Sequence, residues 1–175
     1  MTSNLKLIIP PEEIHIIINR LAKEIRNDYA TKNPVIVCVL KGAMIFFADL
    51  VRALKMPFEI DFVETMSYRN GTLPSSDVII IKDTQCDVSG RDVLIVECIV
   101  DRGVTATALI EYMRRRGADS VKFCALLMRS KPFTGTHGVD YIGARIENGY
   151  VIGYGLDYNE HFRGLPGLYI MQKPK

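Results

Sequence analysis

The sequence predicts an α/β fold: a three-layer, mostly parallel sheet with a small hood and a flexible loop. Three observations carry this. The stretches Val35–Leu40, Val93–Val100 and Val121–Met128 are dense apolar runs rich in β-branched residues, the pattern of strands buried on both faces. Apolar residues at helical spacing lie between such runs. Short glycine-containing turns, Lys41-Gly42 and Asp101-Arg102-Gly103, join strand to helix as in a βαβ unit.

In chain order, Leu5–Ile9 is a short peripheral strand, ended by Pro10-Pro11. Pro11 fits a first helical turn, and Glu12 and Glu13 suit its positive dipole end. Ile14, Ile17, Ile18, Leu21, Ala22, Ile25 and Tyr29 recur at helical spacing, which predicts a helix over Pro11–Tyr29. After the strand Val35–Leu40, the apolar stretch Ala43–Leu54 is a second helix, and Phe58–Thr65 reads as a strand. Residues 66–76 are polar and turn-prone yet hold Tyr68 and Arg69, which suits a loop that closes over a ligand. Val78–Ile81 is a strand, expected to pair with the one that follows the turn at Asp87–Gly90 or to flank the loop as a hairpin. After Val93–Val100, a helix with Ala106, Leu109, Ile110 and Met113 on one face ends at Arg114-Arg115-Arg116 and Gly117. Beyond Met128 the alternation stops, with short strands at Tyr141–Gly143, Tyr150–Tyr154 and Leu168–Met171. One domain over 1–175 is expected, with its core at about 35–128 and a hood built from 1–34 and 129–175.

The composition narrows the function. The 22 basic and 20 acidic side chains leave a net charge of +2, which offers no basic surface for nucleic acid or anionic membrane. Four cysteines without a close pair fit a reduced, cytoplasmic protein better than a disulfide framework or a zinc site. No apolar run reaches the roughly 18 residues that a membrane span requires, and the start does not resemble a signal peptide.

The turn Asp101–Thr105 lies between a strand's carboxyl end and a helix start. Free N–H groups and the helix dipole favour an anion there, Gly103 permits close approach, and Thr105 adds a hydroxyl. A phosphate suits it chemically; a plain tight turn capped by Asp101 and Thr105 explains the spacing as well.

Val93–Thr105 resembles the diphosphoribosyl-binding signature of the type I phosphoribosyltransferases, and the other segments resemble the hypoxanthine-guanine branch. Leu40-Lys41-Gly42 is similar to its pyrophosphate loop, Ser67-Tyr68 to the tip of its catalytic loop, and Tyr150–Arg163 to its purine pocket. The resemblance implies transfer of a phosphoribosyl group from 5-phospho-α-D-ribose 1-diphosphate to hypoxanthine or guanine, with xanthine open, giving IMP or GMP. Asp101 is then the general base at purine N7, and Ser67 and Tyr68 close over the diphosphate. Gly103, Val104 and Thr105 meet the 5′-phosphate, which Arg102 either grips as well or leaves by pointing to solvent, and Lys41, Gly42 and Arg163 meet the pyrophosphate. Tyr150 stacks on the base and Val151 offers it backbone groups. Arg129 or Lys131 reads the exocyclic oxygen. Mg2+ is the implied cofactor, with Asp157 and Glu97 as protein-side ligands, and the family expectation is a homodimer or homotetramer.

Two positions depart from the family. The usual second acid beside Glu97, expected with it at the ribose hydroxyls, is Cys98; the usual threonine after Asp101 is Arg102. A neutral thiol cannot replace a carboxylate electrostatically. These departures raise a second class of function, a non-catalytic nucleotide-binding or regulatory paralogue of the same fold.

Overall fold

The computed structural model describes residues 5–67, 78–130, 134–147 and 149–171. Strands β2 (Val35–Leu40), β5 (Asp92–Val100) and β6 (Ser120–Arg129) form the middle of a six-stranded sheet of order β4-β3-β2-β5-β6-β7, completed by β3 (Glu59–Ser67), β4 (Val78–Lys82) and β7 (Tyr141–Ile146). Every neighbouring pair is parallel except β3 with β4. Helices α1 (Pro11–Asp28) and α2 (Met44–Leu54) cover one face and α3 (Val104–Arg115) the other, giving the three layers expected. The strand interiors are apolar on both sides because both sides are covered: Ile36, Leu94 and Val96 meet α1 and α2, while Val37, Ile95 and Phe123 meet the α3 layer.

The hood is a separate antiparallel sheet, β1 (Leu5–Ile9), β9 (Leu168–Met171) and β8 (Tyr150–Ile152), in the order β1-β9-β8. Three readings shift. β4 pairs with β3 and not with β5, so the hairpin alternative holds. The main sheet runs past 128 to Ile146, and α1 lies on that sheet through Ile14, Ile17 and Leu21, so neither belongs to the hood. β3 continues to Ser67, so the segment read as loop from 66 starts later; 68–77 lie outside the described residues.

Asp61 fixes the strand that delivers this segment. It is 6% exposed and accepts N–H bonds from Phe62 at 2.7 Å, Gln85 at 2.6 Å and Cys86 at 2.7 Å. Burial alone would raise its carboxyl; the N–H groups of Cys86, Phe62 and Gln85 outweigh that and hold it below its ordinary value. Asp61→Ala strands these donors and is expected to cost about 1–3 kcal/mol, read by thermal unfolding. Because the folded-state value is depressed, this stabilisation is full above about pH 4 and fades as pH falls through the folded value. The difference between wild type and variant should therefore narrow in acid; a gap independent of pH would remove the charge from the explanation.

Candidate active site

The carboxyl ends of β2, β5 and β6 lie side by side, and the sheet order reverses between β2 and β5. Open α/β sheets bind ligands at such a switch point. The turn after β2 begins with Lys41, whose peptide bond to Leu40 is cis. The turn after β5 holds Asp101 to Gly103, and Gly103 has φ 83. Helix α3 starts at Val104 with no side-chain cap and no acid in its first turn. The capped-turn alternative fails: among the described residues neither Asp101 nor Thr105, nor any other side chain, takes up the first N–H groups of α3, an arrangement suited to an anion.

Asp101 is paired across to the end of β6. Its Oδ1 lies 3.2 Å from Nε of Arg129, which also donates from Nη1 to the Glu147 carbonyl at 3.1 Å. The Arg129 side chain is 14% exposed and that of Asp101 55%, so the guanidinium is walled in while the carboxylate faces open space. Lys131 and Tyr68 lie outside the described residues, as does the environment of the Ser67 side chain. Arg102 is exposed; its carbonyl is the engaged group, accepting bonds from Thr134 N at 3.0 Å and Thr134 Oγ1 at 3.2 Å. Thr134 thus ties the segment after β6 to the anion turn, a contact that no motif in the sequence signals.

Glu97 and Cys98 point to opposite faces of β5, as strand alternation demands. Glu97 is half-buried, and burial pushes its carboxyl up to about 8. Cys98 is 1% exposed and sits in the α1–α2 core, where its thiol donates to the Tyr154 carbonyl at 3.9 Å. The expectation that Cys98 faces the ribose region beside Glu97 is therefore corrected: this thiol is a core group, its ionisation pushed further up by burial and by Glu97.

The hood supplies the remaining side. Tyr150 is 53% exposed and meets the Tyr158 ring edge-on, with centroids 5.4 Å apart, while Val151 is buried in the β8–β9 pair. The chain then folds back on the turn after β2. At Gly155, φ +99, an added Cβ would lie 2.2 Å from the Gly42 carbonyl oxygen, so the two segments touch backbone to backbone. Arg163 donates from Nη1 to the Gly155 carbonyl at 2.9 Å and pairs with Asp157 at 3.0 Å and Glu160 at 3.1 Å. Glu160 also faces Lys41 at 3.6 Å. Its carboxyl is lowered, chiefly by the Arg163 hydrogen bond. The sequence gives Lys41, Gly42, Asp157 and Arg163 as site residues; Gly155 and Glu160 lie within the purine-pocket stretch without a role of their own.

The described residues hold no cluster of three or more His, Cys, Asp or Glu side chains fit for a metal. One partly buried carboxylate, Asp157, nevertheless fits Mg2+, which keeps waters and binds through one or two carboxylates plus substrate phosphates.

The family described as Phosphoribosyl transferase domain matches residues 10–159. A hypoxanthine-guanine phosphoribosyltransferase of Bacillus subtilis is 38% identical over 167 residues, 95% of this chain and 93% of the relative. A bifunctional protein TilS/HprT of Listeria innocua is 41% identical over 167 residues, and there the chain spans 26% of the relative's length. A crystal structure of a hypoxanthine phosphoribosyltransferase from Staphylococcus aureus superposes with a TM-score of 0.93 at 32% identity, covering 98% of this chain and 94% of that one. With matches over nearly the whole chain, the protein belongs to the phosphoribosyltransferase family, in its hypoxanthine-guanine branch.

Proposed function

We propose that the protein transfers the 5-phosphoribosyl group from 5-phospho-α-D-ribose 1-diphosphate to hypoxanthine or guanine, giving IMP or GMP and pyrophosphate. The observation that carries this reading is the Asp101–Arg129 pair at 3.2 Å. It sets a proton acceptor beside a donor, the complement of a 6-oxopurine edge with N7–H beside a carbonyl oxygen. Among the described residues Nη2 of Arg129 has no protein partner and can donate to that oxygen. Adenine puts an amine there, and two donors would face each other. Of the two candidates for this role, Arg129 is the better supported.

In the transfer N9 of the purine forms a bond to C1′, the bond from C1′ to the diphosphate oxygen breaks, and the N7 proton passes to Asp101. The N–H groups at the start of α3, with Thr105, hold the 5′-phosphate. Lys41, Gly42 and Arg163 meet the diphosphate, Glu97 the ribose hydroxyls, and Tyr150 and Val151 the base, while Ser67 and Tyr68 exclude water. When bound, magnesium supplies positive charge against the leaving diphosphate, held by Asp157 directly or through water. The paralogue reading loses its main support, because Cys98 is turned into the core and removes no group from the cleft. A homodimer belongs to the same proposal. Met66 of β3 and Ile79 and Ile81 of β4 are 53%, 44% and 54% exposed at the β4 end of the sheet, where β4 has no outer partner strand among the described residues, an apolar edge suited to a second copy.

The test is product formation by purified protein with the ribosyl diphosphate, magnesium and each of four bases. Hypoxanthine and guanine should give nucleotide at a clear enzymatic rate, xanthine decides the open question, and adenine should be poor. Absence of product from folded protein would reverse the assignment. Light scattering on the same sample should read a dimer or larger; a monomer removes the interface.

A further inference from the structure

Tyr158 and His161 exchange two backbone hydrogen bonds, at 3.1 and 3.0 Å, around the central residues Asn159 and Glu160. Those residues have φ 51 and 64. A two-residue hairpin turn with both centres at positive φ is the form that favours Asn-Gly, because only glycine escapes the clash of a side chain there. The first position conforms; the second carries a glutamate. The backbone thus disfavours the side chain at 160, and the position of its carboxylate gives a reason for it. One oxygen faces Lys41 at 3.6 Å, the other Arg163 at 3.1 Å. The cations come from different elements, the turn after β2 and the segment after the hood strand β8. Asp157 orients the turn by accepting the Glu160 N–H at 2.9 Å.

We propose that Glu160 is a built-in counter-anion: in the free protein its carboxylate bridges the two cations that the substrate diphosphate claims, and the diphosphate binds by displacing it. This rests on the transfer reading above. Two oxygens spanning Lys41 and Arg163 reproduce in a side chain what a diphosphate offers with more charge. The bridge keeps the like charges of Lys41 and Arg163 together in the absence of ligand. It also competes with pyrophosphate after the transfer and favours its release.

The test uses inorganic pyrophosphate as probe, with and without magnesium, in titration calorimetry of wild type, Glu160→Gln and Glu160→Gly. Gln keeps the size and a carbonyl oxygen for Arg163 but loses the charge; Gly removes the side chain and relieves the turn. Both should bind pyrophosphate about two- to fivefold more tightly, the factor that the loss of exposed ion pairs corresponds to. In the transfer assay KM for the ribosyl diphosphate should fall by a similar factor without a rise in kcat. Gly should also raise the melting temperature. Weaker or unchanged pyrophosphate binding in Glu160→Gln would overturn the proposal, as would a common fall in melting temperature and affinity, the sign of a purely structural role. A wild type that binds no pyrophosphate would overturn the transfer reading itself, an outcome separate from these.

Discussion

Asp101→Asn is expected to slow nucleotide formation from hypoxanthine by about 10²–10⁴-fold, the usual contribution of a positioned general base. The site holds an electrostatic oddity. The turn after β5 is built for an anion, with uncapped N–H groups and no acid in the first turn of α3, yet a half-exposed carboxylate stands at its entrance. Such a group repels phosphate, so it needs another task. Its partner indicates which one: Arg129 holds it at 3.2 Å on the side where a purine edge would lie. Asparagine keeps the size and an oxygen that can still accept from Arg129, so the local geometry should survive, but an amide cannot take up the N7 proton. The ribosyl diphosphate should therefore bind the variant within a few-fold of wild type, measured by calorimetry, while kcat collapses in both directions of the reaction. A turnover within a few-fold of wild type would take the base role from Asp101. A parallel loss of diphosphate binding would mean that the residue shapes the turn instead.

The sheet was legible because its central strands are buried on both faces and must be written as unbroken apolar runs; β2, β5 and β6 lie within a residue or so of where those runs predict them. The edge was less legible. β7 contains Gly143 and Arg145 in six residues, so no apolar run announces a strand of the main sheet, and only its parallel pairing with β6 makes it one. The site divides in the same way. Lys41 and the Asp101 turn follow apolar strands and could be located as strand ends. The Cys98 error had its remedy in the sequence: period two in a strand already sends 97 and 98 to opposite faces. Thr134 and Glu160 act through tertiary contacts, on the Arg102 carbonyl and on Lys41, and distances of 32 and 119 positions along the chain leave no local signal.

Gly153→Ala should destabilise the hood strongly, by about 2–5 kcal/mol. This combines the cost of a side chain at positive φ, about 1–2 kcal/mol, with an overpacking cost of about 1–3 kcal/mol. Gly153 has φ +93, and an added Cβ would lie 2.2 Å from the Gly167 carbonyl oxygen and 3.2 Å from Cβ of Leu165. Two backbone segments meet there, so no flexible side chain can swing away. For a chain of this size the melting temperature should drop by about 4–20 °C. Because Gly153 directly follows β8, which carries Tyr150 and Val151, the surviving protein should lose affinity for the purine more than for the ribosyl diphosphate. Two other glycines separate the contributions. Gly90 has φ +65 but no atom within 4 Å of an added Cβ, so Gly90→Ala reads the backbone cost alone. Gly138 has neither feature, and Gly138→Ala should leave the melting temperature unchanged. If Gly153→Ala fell no further than Gly90→Ala, the hood would have moved to admit the methyl group, and the contact between its segments would not be what holds the purine side of the site in place.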